Sequence, residues 1–201
     1  MIYPRIVKLD DRDVLVDDTQ MTSYKEHFTQ EHRILFFSGA ITGEMDSQNL
    51  LLALDSLSND PIKIFITSPG GDLDSTFLFY DTIKLIKSPI ITIGRYCASA
   101  AAILLSAGQT RYIYPHAKTM LHLPSGQMGG DAKDWEIQHQ QMQKYKNRVV
   151  DIFVENGVKR SREEILSDMD RDFWLDAQGT IDYGLADEIF TSEVWEKMID
   201  V

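Results

Sequence analysis

Three residues of this chain carry the side chains that acyl transfer through a serine nucleophile requires: Ser99, His122 and Asp172. In such a reaction a serine hydroxyl attacks a carbonyl carbon, and a histidine takes the serine proton and later gives it to the leaving amine. A carboxylate fixes the histidine tautomer and stabilises the imidazolium. The chain order here is Ser, His, Asp, which differs from the Ser, Asp, His order of the α/β-hydrolases. The three residues therefore form a candidate catalytic triad.

Each of the three also has an ordinary structural explanation. A serine before an apolar helix is often only its N-cap, a histidine in an apolar strand is often a satisfied core residue, and an aspartate beside Arg171 is often part of a loop ion pair. The other histidines lie in polar or turn contexts that predict surface side chains without metal-ligand spacing: His27, His32, His116 and His139. Taken one at a time, the residues leave both explanations open.

A glycine turn adds a possible fourth part of the site. Gly70 and Gly71 follow a predicted strand and precede a predicted helix, so a backbone N–H there could approach a ligand with no side chain in the way. Paired with the N–H of Ala100 at the start of the next helix, the N–H of Gly71 could form an oxyanion hole. One such donor contributes on the order of 3 kcal/mol to transition-state stabilisation. A simple tight turn is the alternative.

The elements that must position these residues alternate between strands and helices. This alternation predicts a parallel sheet built from βαβ units, with Ser99 at a strand-to-helix junction and His122 inside a strand. On the helix at 72–86 we expect an inward face of Leu73, Phe77, Tyr80, Ile83 and Leu85 or Ile86. The predicted strands are 34–37, 62–67, 90–93, 111–114, 119–123 and 185–190, and the predicted helices are 45–57, 72–86, the segment after Ser99, 131–156, two short capped helices from Ser161 and Asp176, and 194–201.

The predicted helix at 131–156 is long, polar and bounded by Asp131 and Gly157. Its apolar positions form only a thin stripe, which is more typical of packing against another subunit than of burial in one core. The stripe consists of Trp135, Met142, Tyr145, Val149, Ile152 and Phe153.

Composition narrows the class of protein. A chain of 201 residues predicts one large domain, and a net charge of −11 without a Lys/Arg cluster argues against nucleic-acid binding. The single cysteine, Cys97, excludes an internal disulfide and is expected to be a small buried residue. No apolar run is long enough to span a membrane and the N-terminus has no signal-peptide pattern, so we expect a cytoplasmic protein with no membrane association.

Several short motifs occur in the order, and nearly with the spacing, of one known family. From about Arg33 to Phe190 the chain resembles the ClpP family of serine peptidases. The motifs are Ile66-Thr67-Ser68-Pro69-Gly70-Gly71, Tyr80-Asp81-Thr82, Ala98-Ser99-Ala100, Leu104-Leu105-Ser106-Ala107-Gly108, Met120-Leu121-His122-Leu123-Pro124, Asp170-Arg171-Asp172 and Asp182-Tyr183-Gly184-Leu185-Ala186-Asp187.

The resemblance implies a fold and an activity. The fold is the α/β ClpP/crotonase-like ββα superhelix, in which the helix at 131–156 is a protruding handle within a peptidase domain at 33–191. Residues 1–32 would form a divergent N-terminal arm, which the residues themselves predict to be polar with short strands at 6–7 and 14–16, and residues 192–201 a C-terminal tail. The activity is that of a serine endopeptidase acting on peptides and unfolded proteins.

The same resemblance assigns roles to residues. Ser99 matches the nucleophile and His122 the general base, while Asp172, rather than Asp168 or Asp170, matches the catalytic aspartate. Gly71 and Ala100 match the oxyanion-hole amides. The predicted substrate-binding positions are Gly70, Asp72 and Leu73, with Pro124, Ser125 and Gly126 in a glycine-rich loop that would pair with extended substrate.

The resemblance also implies partners. Family members form heptameric rings that stack into a fourteen-subunit barrel, an AAA+ Clp ATPase unfolds the substrates, and the peptidase itself needs no cofactor or metal. Asp170 and Arg171 resemble a charged pair that links ring contacts to triad geometry. Lys63 stands where the family usually has a tyrosine of the ATPase-docking pocket, so we expect weaker docking of an apolar loop.

Two other functions are compatible with such a fold. A crotonase-type acyl-CoA enzyme would use the oxyanion hole with carboxylates and needs no nucleophile. A non-catalytic ring subunit would assemble with an active paralogue. The presence of Ser99, His122 and Asp172 together favours the peptidase over both.

Overall fold

The computed structural model describes residues 5–9, 12–16, 28–43, 47–127 and 129–199. His27, the first two residues of the helix predicted at 45–57, and the last two residues of the predicted tail lie outside these ranges. The strands are β1 (Arg5–Leu9), β2 (Arg12–Val16), β3 (Ile34–Ser38), β4 (Ile62–Ser68), β5 (Ile90–Ala98), β6 (Thr110–Ile113), β7 (Thr119–Leu121), β8 (Phe173–Leu175) and β9 (Glu188–Ile189). The helices are α1 (Ser47–Leu57), α2 (Leu73–Leu85), α3 (Ala100–Ser106), α4 (Ala132–Glu155), α5 (Arg162–Asp168), α6 (Ala177–Tyr183) and α7 (Ser192–Ile199).

A parallel sheet forms the centre of the molecule, in the order β3-β4-β5-β6-β9. Helices α1, α2 and α3 lie between its successive strands along the chain, which confirms the predicted βαβ organisation. Strand β7 pairs in parallel with the far end of β5, and β8 pairs antiparallel with β7. Strands β1 and β2 form a separate antiparallel sheet that contains both short strands predicted for the arm.

Strand β5 is longer than the sequence predicted. The prediction ended it at Ile93, whereas the structure continues the strand to Ala98. Small and polar residues at 94–98 lack an apolar pattern, and they are held extended by pairing with β4 on one side and β7 on the other. Ile66 pairs with Gly94 and Thr67 with Tyr96, so Arg95 is the extra residue of a β-bulge. This extension carries the chain directly to Ser99.

Other predicted boundaries also need correction. The strand predicted at 119–123 ends at Leu121, so His122 follows the strand instead of lying within it. The last strand was predicted at 185–190, but only Glu188–Ile189 forms a strand. Leu185 and Ala186 are buried in the core without pairing as part of this strand. On α2 the prediction missed Phe79, which stacks on Phe37 at 5.5 Å, whereas Leu85 at the helix end is 75% exposed.

Two hydrophobic clusters cover the two faces of the sheet, because alternate residues of each strand point to opposite faces. The larger cluster includes Leu35 and Phe37 of β3 and all the apolar residues of α3. The smaller cluster is rich in aromatic residues and contains Ile34, Phe65 and Phe190. Helix α7 packs on this smaller cluster through Trp195 and Met198. The predicted helical tail is therefore part of the packed structure.

Helix α4 has two different halves. A capping box formed by Asp131 and Asp134 begins it, and Gly157 with φ +81° follows its end, as predicted. The first half is exposed, with Trp135 at 56%. Val149, Ile152 and Phe153 of the second half are buried in the chain's own core, so their assignment to a stripe facing another subunit was wrong. No described helix is long and apolar enough to cross a membrane.

Candidate active site

Ser99 and His122 lie at the ends of adjacent parallel strands. Ala98 of β5 pairs with Met120 of β7, and the Ser99 N–H donates to the Met120 carbonyl at 2.8 Å. Continued by one step, this register brings Ser99 opposite Leu121, and His122 is the next residue along the chain. The Ser99 Oγ lies 2.7 Å from the His122 Nε2, the distance of a direct hydrogen bond.

The backbone of Ser99 has an unusual conformation. Its φ of 57° and ψ of −126° place a non-glycine residue at positive φ, at a sharp turn from strand to helix. Such a turn projects a serine hydroxyl away from the sheet, as in a nucleophile elbow. Ser99 occupies the N-cap position of α3, but its side chain makes no capping hydrogen bond to the described helix residues. The hydroxyl is instead directed to His122.

Asp172 reaches the other side of the histidine through a second pair of strands. Leu121 of β7 pairs with Phe173 of β8, and continuing this antiparallel register brings His122 opposite Asp172. The His122 Nδ1 and Asp172 Oδ1 are 3.5 Å apart, and the Asp172 side chain is 62% exposed. The contact is therefore longer and more open to solvent than the one between Ser99 and His122.

The neighbouring acidic residues have other partners. Asp170 forms an ion pair with Arg171 at 3.2 Å, and the Asp168 carboxylate accepts a hydrogen bond from the Tyr183 hydroxyl at 3.1 Å. In the described residues, Arg171 pairs with Asp170 and not with Asp172. The loop ion pair that offered an alternative explanation for Asp172 thus involves Asp170.

The glycine turn packs directly against the start of α3. Gly70 and Gly71 have φ angles of +90° and +151°. A Cβ on Gly70 would lie 2.7 Å from the Cβ of Ser99, and one on Gly71 would overlap the main chain of Ile41. Only glycine fits at either position without a shift of the backbone.

The amide of Gly71 remains outside the local pairing. The bridge to Ile41 uses the Gly70 carbonyl as acceptor and the Asp72 N–H as donor, so the Gly71 N–H takes no part in it. Ala100 is the first residue of α3, and a first-turn amide has no acceptor within its own helix. The two amides predicted for the oxyanion hole are therefore both available at this junction.

A pocket of about 70 Å³ opens beside Ser99. It is lined by five residues that the sequence had assigned to the site besides Ser99 and His122, namely Gly71, Leu73, Ala100, Pro124 and Ser125. It is also lined by five apolar residues that the sequence reasoning missed, namely Ile103, Leu121, Val149, Phe153 and Met169. Periodicity could identify such residues only as core, since nothing local shows that they face a cavity.

Three predicted substrate-binding residues do not line this pocket. The Asp72 carboxylate is the N-cap of α2 and accepts from the Ser75 hydroxyl and N–H, which lowers the pKa of this carboxyl. Gly70 packs behind Ser99. Gly126 lies next to Met142 of α4. Their contact with substrate stays a prediction.

The comparison with protein families decides which of the expected functions applies. The family model described as Clp protease matches residues 17–193. The chain belongs to the Clp protease family. It is 37% identical over 166 residues to the ATP-dependent Clp protease proteolytic subunit 2 of Pseudomonas aeruginosa, covering 80% of this chain and 82% of the relative. It is 38% identical over 165 residues to proteolytic subunit 3 of Rhizobium meliloti, covering 80% and 84%.

A solved structure confirms the predicted fold of this Clp protease. A ClpP1 mutant from Listeria monocytogenes superposes with a TM-score of 0.76 at 32% identity, covering 83% of this chain and 98% of that one. The chain is therefore a serine-type peptidase with the α/β ClpP fold, and the comparisons lend no support to the acyl-CoA or non-catalytic alternatives. Membership of the family also implies a ring-forming protease that works with a Clp ATPase.

Two further residues of this Clp protease were singled out in the sequence. Cys97 is fully buried two residues before Ser99, and burial raises the pKa of its thiol to about 12, so it remains protonated and is not a competing nucleophile. Lys63 is only 6% exposed, and its ammonium donates to the His32 carbonyl at 3.0 Å. Burial, assisted by the nearby Arg33, lowers the pKa of Lys63. Its effect on ATPase docking stays a prediction.

Proposed function

We propose that Ser99, His122 and Asp172 are the catalytic triad with which this peptidase cleaves peptide bonds. The observation that carries the proposal is the 2.7 Å contact between the Ser99 Oγ and the His122 Nε2 at a strained strand-to-helix turn. His122 removes the serine proton as the hydroxyl attacks the peptide carbonyl, and later gives that proton to the leaving amine. Asp172 on the Nδ1 side keeps the Nε2 unprotonated in the resting enzyme and stabilises the cation that forms.

The amides of Gly71 and Ala100 bind the negative charge of the tetrahedral intermediate. Gly71 belongs to a turn whose Cβ-free backbone packs against the Ser99 junction, and Ala100 directly follows the nucleophile. Collapse of this intermediate leaves an acyl enzyme on Ser99, and a water activated by His122 hydrolyses it through a second intermediate in the same hole.

The loop after His122 binds the substrate chain. Pro124 and Ser125 line the pocket, and further along the chain the Gly129 main chain is attached to α4 through paired hydrogen bonds with the Gln138 side chain, at 3.2 and 2.7 Å. A loop held at both ends offers its backbone to an extended peptide, which is the form in which an unfolded protein enters such a site. Gly70, Asp72, Leu73 and Gly126 border the same path.

The protein acts as a subunit of two stacked heptameric rings, fourteen subunits in total, with a Clp ATPase delivering unfolded proteins. The exposed half of α4, which leaves Trp135 and Ile137 in solvent, supports contacts between copies. The peptidase domain is residues 33–191, with residues 1–32 and 192–201 as flanking segments. A protonated, buried Cys97 agrees with action in the cytoplasm.

Labelling with a fluorophosphonate tests the triad directly. The probe should add one mass increment to the wild-type protein, at Ser99, and none to Ser99→Ala. Turnover of a fluorogenic peptide should fall by about 10⁶-fold in Ser99→Ala, whereas Ser56→Ala, a change at an exposed serine of α1, should leave both unchanged. Undiminished peptidase activity in Ser99→Ala would refute the assignment. Native mass spectrometry of the same samples counts the subunits.

A further inference from the structure

A second pocket lies at the amino-terminal ends of the parallel strands, whereas Ser99 follows the carboxyl end of β5. Arg33 directly precedes β3, Lys63 is the second residue of β4, and Ile91 is the second residue of β5. The pocket has a volume of about 320 Å³, which lies within the range of about 300–1,000 Å³ that is typical of small-molecule sites. None of the residues proposed for catalysis lines it.

Lys63 brings a buried positive charge to this pocket. Its side chain is almost fully buried, and its ammonium donates to the His32 carbonyl at 3.0 Å. An ammonium has three N–H donors, and this is the one hydrogen bond that the described residues offer it. Lys63 also forms no ion pair with a described carboxylate. Because lysines are rarely buried without a partner of opposite charge, the remaining donors favour an anion in the pocket.

The Arg33 guanidinium supplies a second positive charge in a fixed position. Its Nη1 donates to the Leu54 carbonyl at 2.8 Å, and its Nη2 donates to the Ser58 carbonyl and the Ser88 hydroxyl, both at 3.1 Å. Its Nε is buried and has no acceptor in the part of the chain that the structure describes. Burial, and then the charge of Arg33, lower the pKa of Lys63, so the two cations repel each other. An anion between them would relieve this repulsion and accept from the free Nε.

The acidic residues of the lining occupy more exposed positions. Glu31 and Asp60 are both exposed, and the Asp60 carboxylate accepts from the Ser58 hydroxyl at 2.7 Å. Lys197 of α7 is also exposed and adds a third cation to the lining. Charges in contact with solvent are screened more strongly than buried ones. The least exposed charge of the pocket is therefore positive.

The lining also contains three apolar side chains, those of Pro61, Ile91 and Met198. We propose that this pocket binds a small phosphorylated molecule, with its phosphate between Lys63 and Arg33 and its organic part against the apolar side chains. A phosphate monoester carries a charge of about −1.5 to −2 at pH 7 and three terminal oxygens, so it can accept from both cations at once. A carboxylate, with one charge and two oxygens, neutralises less of the repulsion.

The test is isothermal titration calorimetry of the full-length protein in a buffer without phosphate, with phenyl phosphate, inorganic phosphate and benzoate as probes. Phenyl phosphate should bind about tenfold more tightly than benzoate because of its charge, and at least threefold more tightly than inorganic phosphate because its ring contacts the apolar lining. The absence of saturable phosphate binding overturns the proposal. Equal affinities for phenyl phosphate and benzoate overturn the preference for phosphate, and equal affinities for the two phosphates overturn the apolar contact.

The position of the phosphate is tested by Lys63→Met, which keeps the length of the side chain and removes its charge. The affinity for phenyl phosphate should fall by about tenfold or more. Lys84→Met is the matched control, because the Lys84 ammonium also donates to one main-chain carbonyl, that of Ala107 at 3.1 Å, and does not line the pocket. An unchanged affinity in Lys63→Met, or an equal loss in Lys84→Met, overturns the assignment.

Two further variants keep the test decisive. If Lys63→Met does not fold, Lys197→Met changes an exposed lysine of the same lining and should weaken binding about threefold, whereas an unchanged affinity in it overturns the proposal. Ser99→Ala should bind phenyl phosphate as the wild type does, so the result does not depend on the proposed triad. Loss of binding in Ser99→Ala would place the ligand at the catalytic pocket and overturn the inference.

Discussion

The two contacts of His122 differ in length, exposure and structural support. On one side, Ser99 lies 2.7 Å from Nε2, at the end of a nine-residue strand in the centre of the sheet. On the other side, Asp172 lies 3.5 Å from Nδ1 in a loop that is followed by a strand of three residues. The Asp172 side chain is mostly exposed, whereas that of His122 is 28% exposed.

The contact between Ser99 and His122 therefore depends on the core of the subunit, whereas the contact between His122 and Asp172 depends on its surface. The nucleophile follows β5, which pairs along most of its length with β4 and at its end with the strand that precedes the base, and the fully buried helix α3 packs behind it. The carboxylate depends on the loop between α5 and β8, in which Asp170 and Arg171 are also exposed. A neighbouring copy that contacts this loop would change the position of Asp172 without disturbing Ser99 and His122.

The largest effect should come from the tightly held side. His122→Ala removes the base, and we expect kcat to fall by about 10⁶-fold, as in Ser99→Ala. Single-turnover hydrolysis of an activated ester checks this loss. The thermal unfolding temperature should stay close to that of the wild type, because His122 is only partly buried. A loss below 100-fold would show that another group acts as the base.

A smaller loss is expected on the open side. Asp172→Asn keeps the shape of the side chain but removes the charge that fixes the histidine tautomer, and we expect a decrease of about 10⁴-fold in kcat. The matching change Asp182→Asn, at an exposed aspartate of α6 that accepts a hydrogen bond from Gln178, should cost less than tenfold in the same assay. If Asp172→Asn were as inactive as His122→Ala, the contrast between the two contacts would not extend to catalysis.

The glycine turn packs against Ser99, on the closer side of His122, and a substitution in this turn should have the next largest effect on kcat. Gly71→Ala places a Cβ against the main chain of Ile41 and moves the amide away from the oxyanion, so kcat should fall by about 10²- to 10³-fold. Gly43→Ala is the control, since a Cβ there meets nothing within 4 Å. Wild-type kcat in a correctly folded Gly71→Ala protein would remove Gly71 from the oxyanion hole.

The smallest effect concerns the anchor of the Asp172 loop. Tyr183 donates to Asp168 at the end of α5, and Tyr183→Phe should lower activity less than tenfold and stability by about 1 kcal/mol. Tyr145→Phe, a change on α4 that removes a similar hydrogen bond to Asp74 of α2, should leave the activity unchanged. An unaltered activity in Tyr183→Phe would show that this bond does not position the loop.

Tyr183→Phe should also change how the stability of the protein depends on pH. Burial, and then the charge of Asp168, raise the pKa of Tyr183 above its ordinary value of 10.0. The folded state therefore holds this proton more tightly than the unfolded state, so its contribution to stability is complete below pH 10 and is lost as the pH rises above it. Chemical denaturation between pH 8 and 11 should show a shallower alkaline decline in Tyr183→Phe than in the wild type. An identical loss of stability with rising pH in the two proteins would show that ionisation of Tyr183 does not contribute to it.

Features that depend on neighbours in sequence could be predicted well. The caps at Asp131, Ser161 and Asp176 are confirmed because a cap is formed by side chains and amides within one turn. The candidate triad was found by matching motifs, and the structure brings its three members together. The extension of β5 was missed because residues 94–98 are extended only through their partners in β4 and β7. The position of Phe153 in the lining of the pocket was not predicted, because the pocket is formed by helices that are far apart in sequence.

The sequence by itself determined the chemistry: a serine at a strand-to-helix junction, one histidine in an apolar context, an aspartate before Phe173, and two glycines between a predicted strand and a predicted helix. Only the tertiary structure decided how closely these groups meet. Side-chain identity does not encode distance, and the two contacts of His122 are set by the register between strands, parallel for β5 and β7 and antiparallel for β7 and β8. The pocket that would receive the substrate exists only where those strands and helices pack together.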